Sequence, residues 1–308
     1  MNAATSFTDL PRPPATIADY LERLRVALAG ADPALIQDAL YDAEDYLRSE
    51  MAANPGRSEA EVIAEVAGSY GAPNEVADIY RDTEARVQTA LQPPKRPAAR
   101  SALARFFGVA AEPRTYAALF YMLLSLATGI FYFTWVVTGL SMSAGLAVLI
   151  IGIPFVILFF GSVRVLSLVE GRLVEVMLGE RMPRRPTYVA KDGTLLERIR
   201  ELFVDPRTWG SMLYMLLMLP LGIIYFTVAV TLLSIAAGFI AAPVLALFAW
   251  AGWAPFDEFT ISGVNYWGLP FVFVGGIVLL FATLHLARGV GKLHGQIAKT
   301  MLVKSSPA

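Results

Sequence analysis

The sequence predicts an all-α membrane protein: a small N-terminal helical domain followed by four transmembrane helices built from two parallel two-helix repeats. Three observations carry this. Of the 308 residues, 56% are hydrophobic and 17% charged, with a mean hydropathy of +0.54. Globular domains average about 45–50% apolar and about 25% charged, so the balance points to lipid. No Lys or Arg occurs in residues 115–163 or 208–287. Finally, these two basic-free stretches repeat one another.

Residues 1–15 have neither the charged start nor the apolar core of a secretory signal and are expected to be disordered. Residues 16–87 carry 15 acids against 6 bases, a local net charge of −9, and read as a cytoplasmic helical domain. Ile17, Tyr20, Leu21, Leu24 and Leu28 share one helix face; Ile36, Leu40, Ala43, Leu47 and Met51 share another. Asn54-Pro55-Gly56 breaks the chain, and Ser58 to Glu61 is a capping box. Gly71-Ala72-Pro73 opens a last helix through Arg81. Asp38, Asp42 and Asp45 lie opposite the apolar stripe of the second helix. They are a candidate docking face for a basic partner, or an ordinary solvated face.

Residues 88–111 form a linker. Pro93-Pro94-Lys95-Arg96-Pro97 is stiff and extended, and Ser101 to Ala111 is a juxtamembrane helix with Phe106 and Phe107 dipping into lipid.

Residues 112–308 form the membrane domain. Each basic-free stretch is too long for one span of about 20 residues, so each holds a pair. The spans are placed at 115–138, 142–163, 209–233 and 269–287. All 25 basic residues then fall on one side, the cytoplasmic side by the positive-inside rule, with both termini. A fifth span at 234–252 would send Arg288, Lys292, Lys299 and Lys304 outside. That piece is therefore read as re-entrant or partly inserted, within an external cap at about 234–268. Trp250, Trp253, Tyr266 and Trp267 would be its interface aromatics.

Over residues 112–145, 19 of 34 positions are identical to those 93 further on. Tyr121-Met122-Leu123-Leu124 matches Tyr214-Met215-Leu216-Leu217, for instance. Gly152-Ile153-Pro154-Phe155-Val156 resumes as Gly268-Leu269-Pro270-Phe271-Val272 at an offset of 116, so the second copy has 116 − 93 = 23 extra residues, placed in the cap. Both copies start on the same side, which implies a pseudo-two-fold axis along the membrane normal. Arg164 to Leu178 and Ala287 to Leu302 read as amphipathic tails lying on the inner leaflet. Leu195 to Val204 is a further short helix. Lys95, Arg96, Arg100, Arg184, Arg185 and Lys292 are candidate contacts to anionic lipid.

On these residues, two resemblances can be stated. Residues 16–87 resemble the HAAS signalling domain through Tyr20 to Leu24, the acidic run Asp38 to Asp45, Gly56-Arg57-Ser58-Glu59, Tyr70-Gly71-Ala72-Pro73 and Val76-Ala77. Residues 112–300 resemble the "Putative sensor" membrane domain that precedes many bacterial histidine kinases. The Pro-Arg-Thr starts, the Gly-x-x-Tyr-Phe-Thr middles and the Gly-Arg-Leu and Gly-Lys-Leu tails carry this. The first resemblance implies work beside PadR-type transcription regulators, and the second implies detection of envelope or membrane signals. No kinase domain or glycine-rich phosphate loop follows the last span, so a sensor's output would leave through another protein.

The chain has no cysteine and two histidines, which leaves no thiolate chemistry and poor support for imidazole metal sites. No cofactor and no direct nucleic-acid binding are expected. His285 and His294 are read as interfacial. With no ionisable side chain placed well inside a span, ion-coupled transport and hydrolysis are disfavoured. Tyr132, Thr134 and Thr138 recur as Tyr225, Thr227 and Thr231. The six could line a symmetric pocket for an apolar ligand with one polar end, or simply bond helix backbone. The function expected is a non-enzymatic sensor or regulatory protein of the bacterial inner membrane that signals through its N-terminal domain. The alternative is a transport or lipid-handling subunit. Whether the chain forms a homo-oligomer is left open.

Overall fold

The computed structural model describes residues 13–91, 101–146, 152–185, 204–252 and 266–303. They form two compact units.

The first unit comprises α1 (Ile17–Ala27), α2 (Pro33–Ala53), α3 (Glu59–Ser69) and α4 (Pro73–Leu91), joined by Pro183 to Arg185 from much later in the chain. Local chemistry starts each helix. Thr16 caps α1 by accepting from the Asp19 N–H. Asp32 caps α2 ahead of Pro33, whose missing N–H is no loss there. Ser58 and Glu61 close the capping box of α3. Helix α4 runs on to Leu91, beyond the end expected at Arg81.

Tyr20, Leu24, Leu28, Ala43, Leu47 and Ile63 are fully buried between the helices. The Tyr20 hydroxyl donates to the Gly71 carbonyl at 2.8 Å. Gly71 itself has φ +115°, a turn conformation open to glycine at little cost. Tyr20→Phe is expected to destabilise these helices by about 1–2 kcal/mol through the lost bond and the stranded carbonyl. The measurement is the unfolding midpoint of this unit in the full chain.

One expectation fails in α2. Its inward stripe is Leu35, Ala39, Ala43 and Leu47, whereas Ile36 and Leu40 are only partly buried. The buried stripe keeps Ala43 and Leu47 of the expected face and is turned from it by about 60°. Asp38 is buried at 5% exposure, against the backbone of Arg184 and Arg185, instead of lying on an open surface.

The second unit holds a short α5 (Ala102–Gly108), a 3-10 turn (Val109–Ala111), then α6 (Pro113–Leu146), α7 (Gly152–Leu178), α8 (Pro206–Trp250) and α9 (Leu269–Leu302). The last four are long and apolar enough to cross a membrane, so this is a multi-pass membrane protein. Three boundaries differ from the sequence reading. Helix α6 passes straight through 139–141, because Gly139 is not a turn. A Cβ there would stand 2.0 Å from the Phe159 ring, so the glycine gives that ring its place. Residues 234–250 are not a re-entrant piece but an unbroken continuation of α8. At 1.5 Å per residue α8 is about 68 Å long, over twice a hydrocarbon core of about 30 Å. Lastly, 164–178 and 287–302 are not surface tails. They complete α7 and α9 and bury Glu170, Gly171 and Val174, and Ala287, Gly291, His294 and Ala298, inside the bundle.

Glycines let α6 and α8 cross closely. A Cβ on Gly129 would lie 2.5 Å from the Met218 carbonyl oxygen, and one on Gly222 would lie 2.3 Å from that of Ser125. The contact is reciprocal, since 222 − 129 and 218 − 125 both equal 93. Two reciprocal ion pairs hold the Pro113 and Pro206 ends of these helices. Arg288 meets Glu112 at 2.8 Å, and Arg164 meets Asp205 at 3.0 Å. Partly exposed, each contributes less than about 1 kcal/mol, but both fix register. Phe106 and Phe107 of α5 pack on Phe281 of α9, where His285, exposed, donates from Nε2 to the Phe106 carbonyl at 3.0 Å.

Candidate functional site

About two turns into α6 and α8, all four long helices contribute to one polar cluster. Tyr121 lies eight residues after Pro113 and Tyr214 eight after Pro206, so both come inward at the same height. Tyr121 donates to Glu170 Oε1 at 2.6 Å, and Tyr214 donates to the same oxygen at 3.0 Å. Tyr132, three turns further along α6, donates to Glu170 Oε2 at 3.0 Å. His294 Nε2 stands 2.7 Å from the Tyr121 hydroxyl and 2.9 Å from that of Tyr214. On the other side of the ring, Nδ1 faces the Tyr225 hydroxyl at 3.4 Å.

One proton inventory satisfies every group. The hydroxyls of Tyr121, Tyr132 and Tyr214 donate to the Glu170 carboxyl. His294 carries its proton on Nε2 and donates to the two hydroxyl oxygens it touches. Its Nδ1 lone pair accepts from Tyr225. Glu170 and His294 are both at 0% exposure, and all four tyrosines are buried. Burying a carboxyl and an imidazole is costly unless they are hydrogen-bonded, and here they are bonded to each other's partners. The cluster ties α6, α7, α8 and α9 through two shared hydroxyls. Chemically it can hold or pass a proton between Glu170 and His294. Among the described residues every member is buried.

The family described as Putative sensor matches residues 121–302, more than half of the chain. The chain belongs to that family. No curated protein and no solved structure matches it. The matched Putative sensor region runs from Tyr121 to Leu302, and so contains all six members of the cluster.

The structure corrects several site expectations within the sensor domain. His294 is not an interfacial residue but a buried centre of the cluster. The expectation that no ionisable side chain lies well inside a span rested on spans ending at 163 and 287. Helices α7 and α9 run on to Leu178 and Leu302 and bury Glu170 and His294, so the case against ion-coupled transport loses that premise. Of the six residues expected to line a pocket, Tyr132 and Tyr225 point inward, whereas Thr134, Thr138, Thr227 and Thr231 are exposed. Two residues along a helix turn the side chain by about 200°, so Tyr132 inward puts Thr134 outward. Ser125 and Thr128 bond their own helix backbone, at 2.7 and 3.3 Å.

Glu170 and His294 do carry a readable signal. Glu170-Gly171 to Met177-Leu178 matches His294-Gly295 to Met301-Leu302 at an offset of 294 − 170 = 124. Aligning Gly171-Arg172-Leu173 with Gly291-Lys292-Leu293, at 291 − 171 = 120, hides it. The same offset of 124 relates Arg164 to Arg288, the two arginines of the reciprocal ion pairs.

The acidic face of α2 is also not as expected. Asp38 accepts from the backbone N–H groups of Arg184 and Arg185 at 2.7 and 2.9 Å. Asp42 accepts from the Tyr80 hydroxyl at 2.9 Å and pairs with Arg185 at 3.0 Å. Asp45 is half-buried. Of the two arginines assigned to lipid, Arg185 pairs its guanidinium with Asp42 and Arg184 meets Asp38 through its backbone N–H, and both are exposed. Lys292 is exposed. Lys95, Arg96, Arg100, Trp253 and all but the last residue of the expected helix at 195–204 lie outside the described residues.

Proposed function

We propose that the chain is a non-enzymatic sensor of the bacterial inner membrane, with both termini cytoplasmic. Its N-terminal unit, of HAAS type, hands the signal to a cytoplasmic protein, a PadR-type transcription regulator being the class implied. The membrane domain is read as two parallel repeats related by a pseudo-two-fold axis. The observation that carries the reading is the Glu170–His294 cluster. It is one buried network with a contribution from every membrane helix, so an event that rearranges one helix must rearrange the partners of the others. A signal is then a shift between two hydrogen-bonding arrangements of this network.

A second reading, transport or lipid handling, is favoured by the same Glu170–His294 pair, because buried ionisable groups in membrane helices often mark ion paths. Crosslinking capture from native membranes separates the two, comparing the full chain with one lacking residues 1–87. The sensor reading expects a DNA-binding regulator with the full chain alone. Transporter subunits recovered with both versions would overturn it.

A further inference from the structure

The contact on α2 has the make-up of a peptide-recognition site. Asp38, 95% buried, places a single oxygen, Oδ1, against two consecutive main-chain N–H groups, those of Arg184 and Arg185. Gln37 Nε2 donates to the Arg185 carbonyl at 2.8 Å, which completes the reading of that residue's main chain. The Arg185 guanidinium pairs with Asp42 and lies over the Tyr41 ring at 5.9 Å from its centre, within cation–π range. Asp42 is itself oriented by Tyr80 of α4. Backbone and charge are thus read together by residues on one turn and a half of α2. The segment read is Pro183-Arg184-Arg185, and proline before it leaves no competing N–H.

We propose that this face of α2 is a docking site for short Pro-Arg-Arg segments, filled in the resting protein by residues 183–185 and taken over by a segment of the same chemistry on a partner protein. A domain of net charge −9 attracts such a segment, and Asp38 selects a backbone bent at Arg184–Arg185, which turns two adjacent amides toward one oxygen. The inference goes beyond the sensor reading and stands on α2 alone. A partner could dock in this way whatever the membrane domain detects.

The test uses the full chain in nanodiscs and a fluorescent peptide of residues 180–187. The triple variant Pro183→Gly, Arg184→Ser, Arg185→Gly empties the site. It should bind the peptide at least about 10-fold more tightly than the unaltered chain. Adding Asp38→Asn to it should return binding to the starting level. A peptide N-methylated at both arginine amides keeps its charge and should bind no better than background. Equal binding by the unaltered and emptied chains, or undiminished binding of the methylated peptide, overturns the proposal. A second measurement needs no variant. Excess peptide should speed hydrogen exchange of the chain's own Arg184 and Arg185 amides, and unchanged rates at saturating peptide overturn the proposal equally.

Discussion

Glu170→Ala is expected to be among the most damaging single substitutions in the membrane domain, costing about 3–5 kcal/mol of bundle stability. The reason is what it leaves behind. Tyr132 loses its acceptor, and Tyr121 and Tyr214 keep only His294 Nε2 between them. All three hydroxyls are buried, so no solvent replaces the carboxyl. Glu170→Gln keeps an acceptor oxygen but turns an NH₂ toward a hydroxyl already committed as a donor, and about 1–2 kcal/mol is expected. His294→Ala strands Tyr225 and removes the donor to the shared pair, whose own hydroxyls still donate to Glu170. Because Glu170 and His294 act through the same two hydroxyls, their losses should not add. The double alanine variant should be milder than the sum of the singles by about 1 kcal/mol or more. Denaturation of the detergent-solubilised chain, followed by the loss of its folded form, gives all three values. Additive losses would mean that the two groups are independent.

The second large effect lies at the crossing of α6 and α8. Gly129→Val and Gly222→Val should each cost about 3 kcal/mol or more, because the added atoms meet backbone, not a side chain that can swing away. A Cβ at 2.5 or 2.3 Å from a carbonyl oxygen forces the helices apart, and with them the tyrosines that must reach Glu170 and His294 together. Gly161 in α7 is the control. A Cβ there meets nothing within 4 Å, so Gly161→Ala should be neutral or slightly stabilising, as alanine for glycine within a helix usually is. Size-exclusion profiles of extracted chains separate the outcomes: loss of the monodisperse peak for the valines, retention for the alanine.

Much of this architecture can be read from the sequence, because hydropathy and the placement of Lys and Arg act over whole segments. The four membrane helices follow from two basic-free stretches, and the capping of α3 follows from Ser58 and Glu61. Finer features depend on what each residue meets. Gly139 looks like a turn until Phe159 is found against it. In α2, the apolar pattern of Leu35, Ile36, Ala39 and Leu40 fits two faces one residue apart. Packing against α1 and α4 chooses Leu35 and Ala39, and Asp38 is covered by the Arg184–Arg185 backbone from far along the chain, which no local pattern shows. Glu170 and His294 escape such a reading because polar residues near helix ends look interfacial when hydropathy alone sets the span. Their equivalence is also masked by a tempting glycine alignment four residues out of step. The tyrosines stand out as a duplicated pair, but grouping them with threonines two and six positions away ignores the turn of the helix.

The most direct test of the account is hydrogen exchange of the full chain in nanodiscs, wild type against Glu170→Gln. If the buried cluster sets the state that the N-terminal unit transmits, the Arg184 and Arg185 amides held by Asp38 should exchange at least about 10-fold faster in the variant. The amides of α3 should be unchanged. Unaltered exchange at Arg184 and Arg185, in a variant whose α7 amides around residue 170 have loosened, would contradict it.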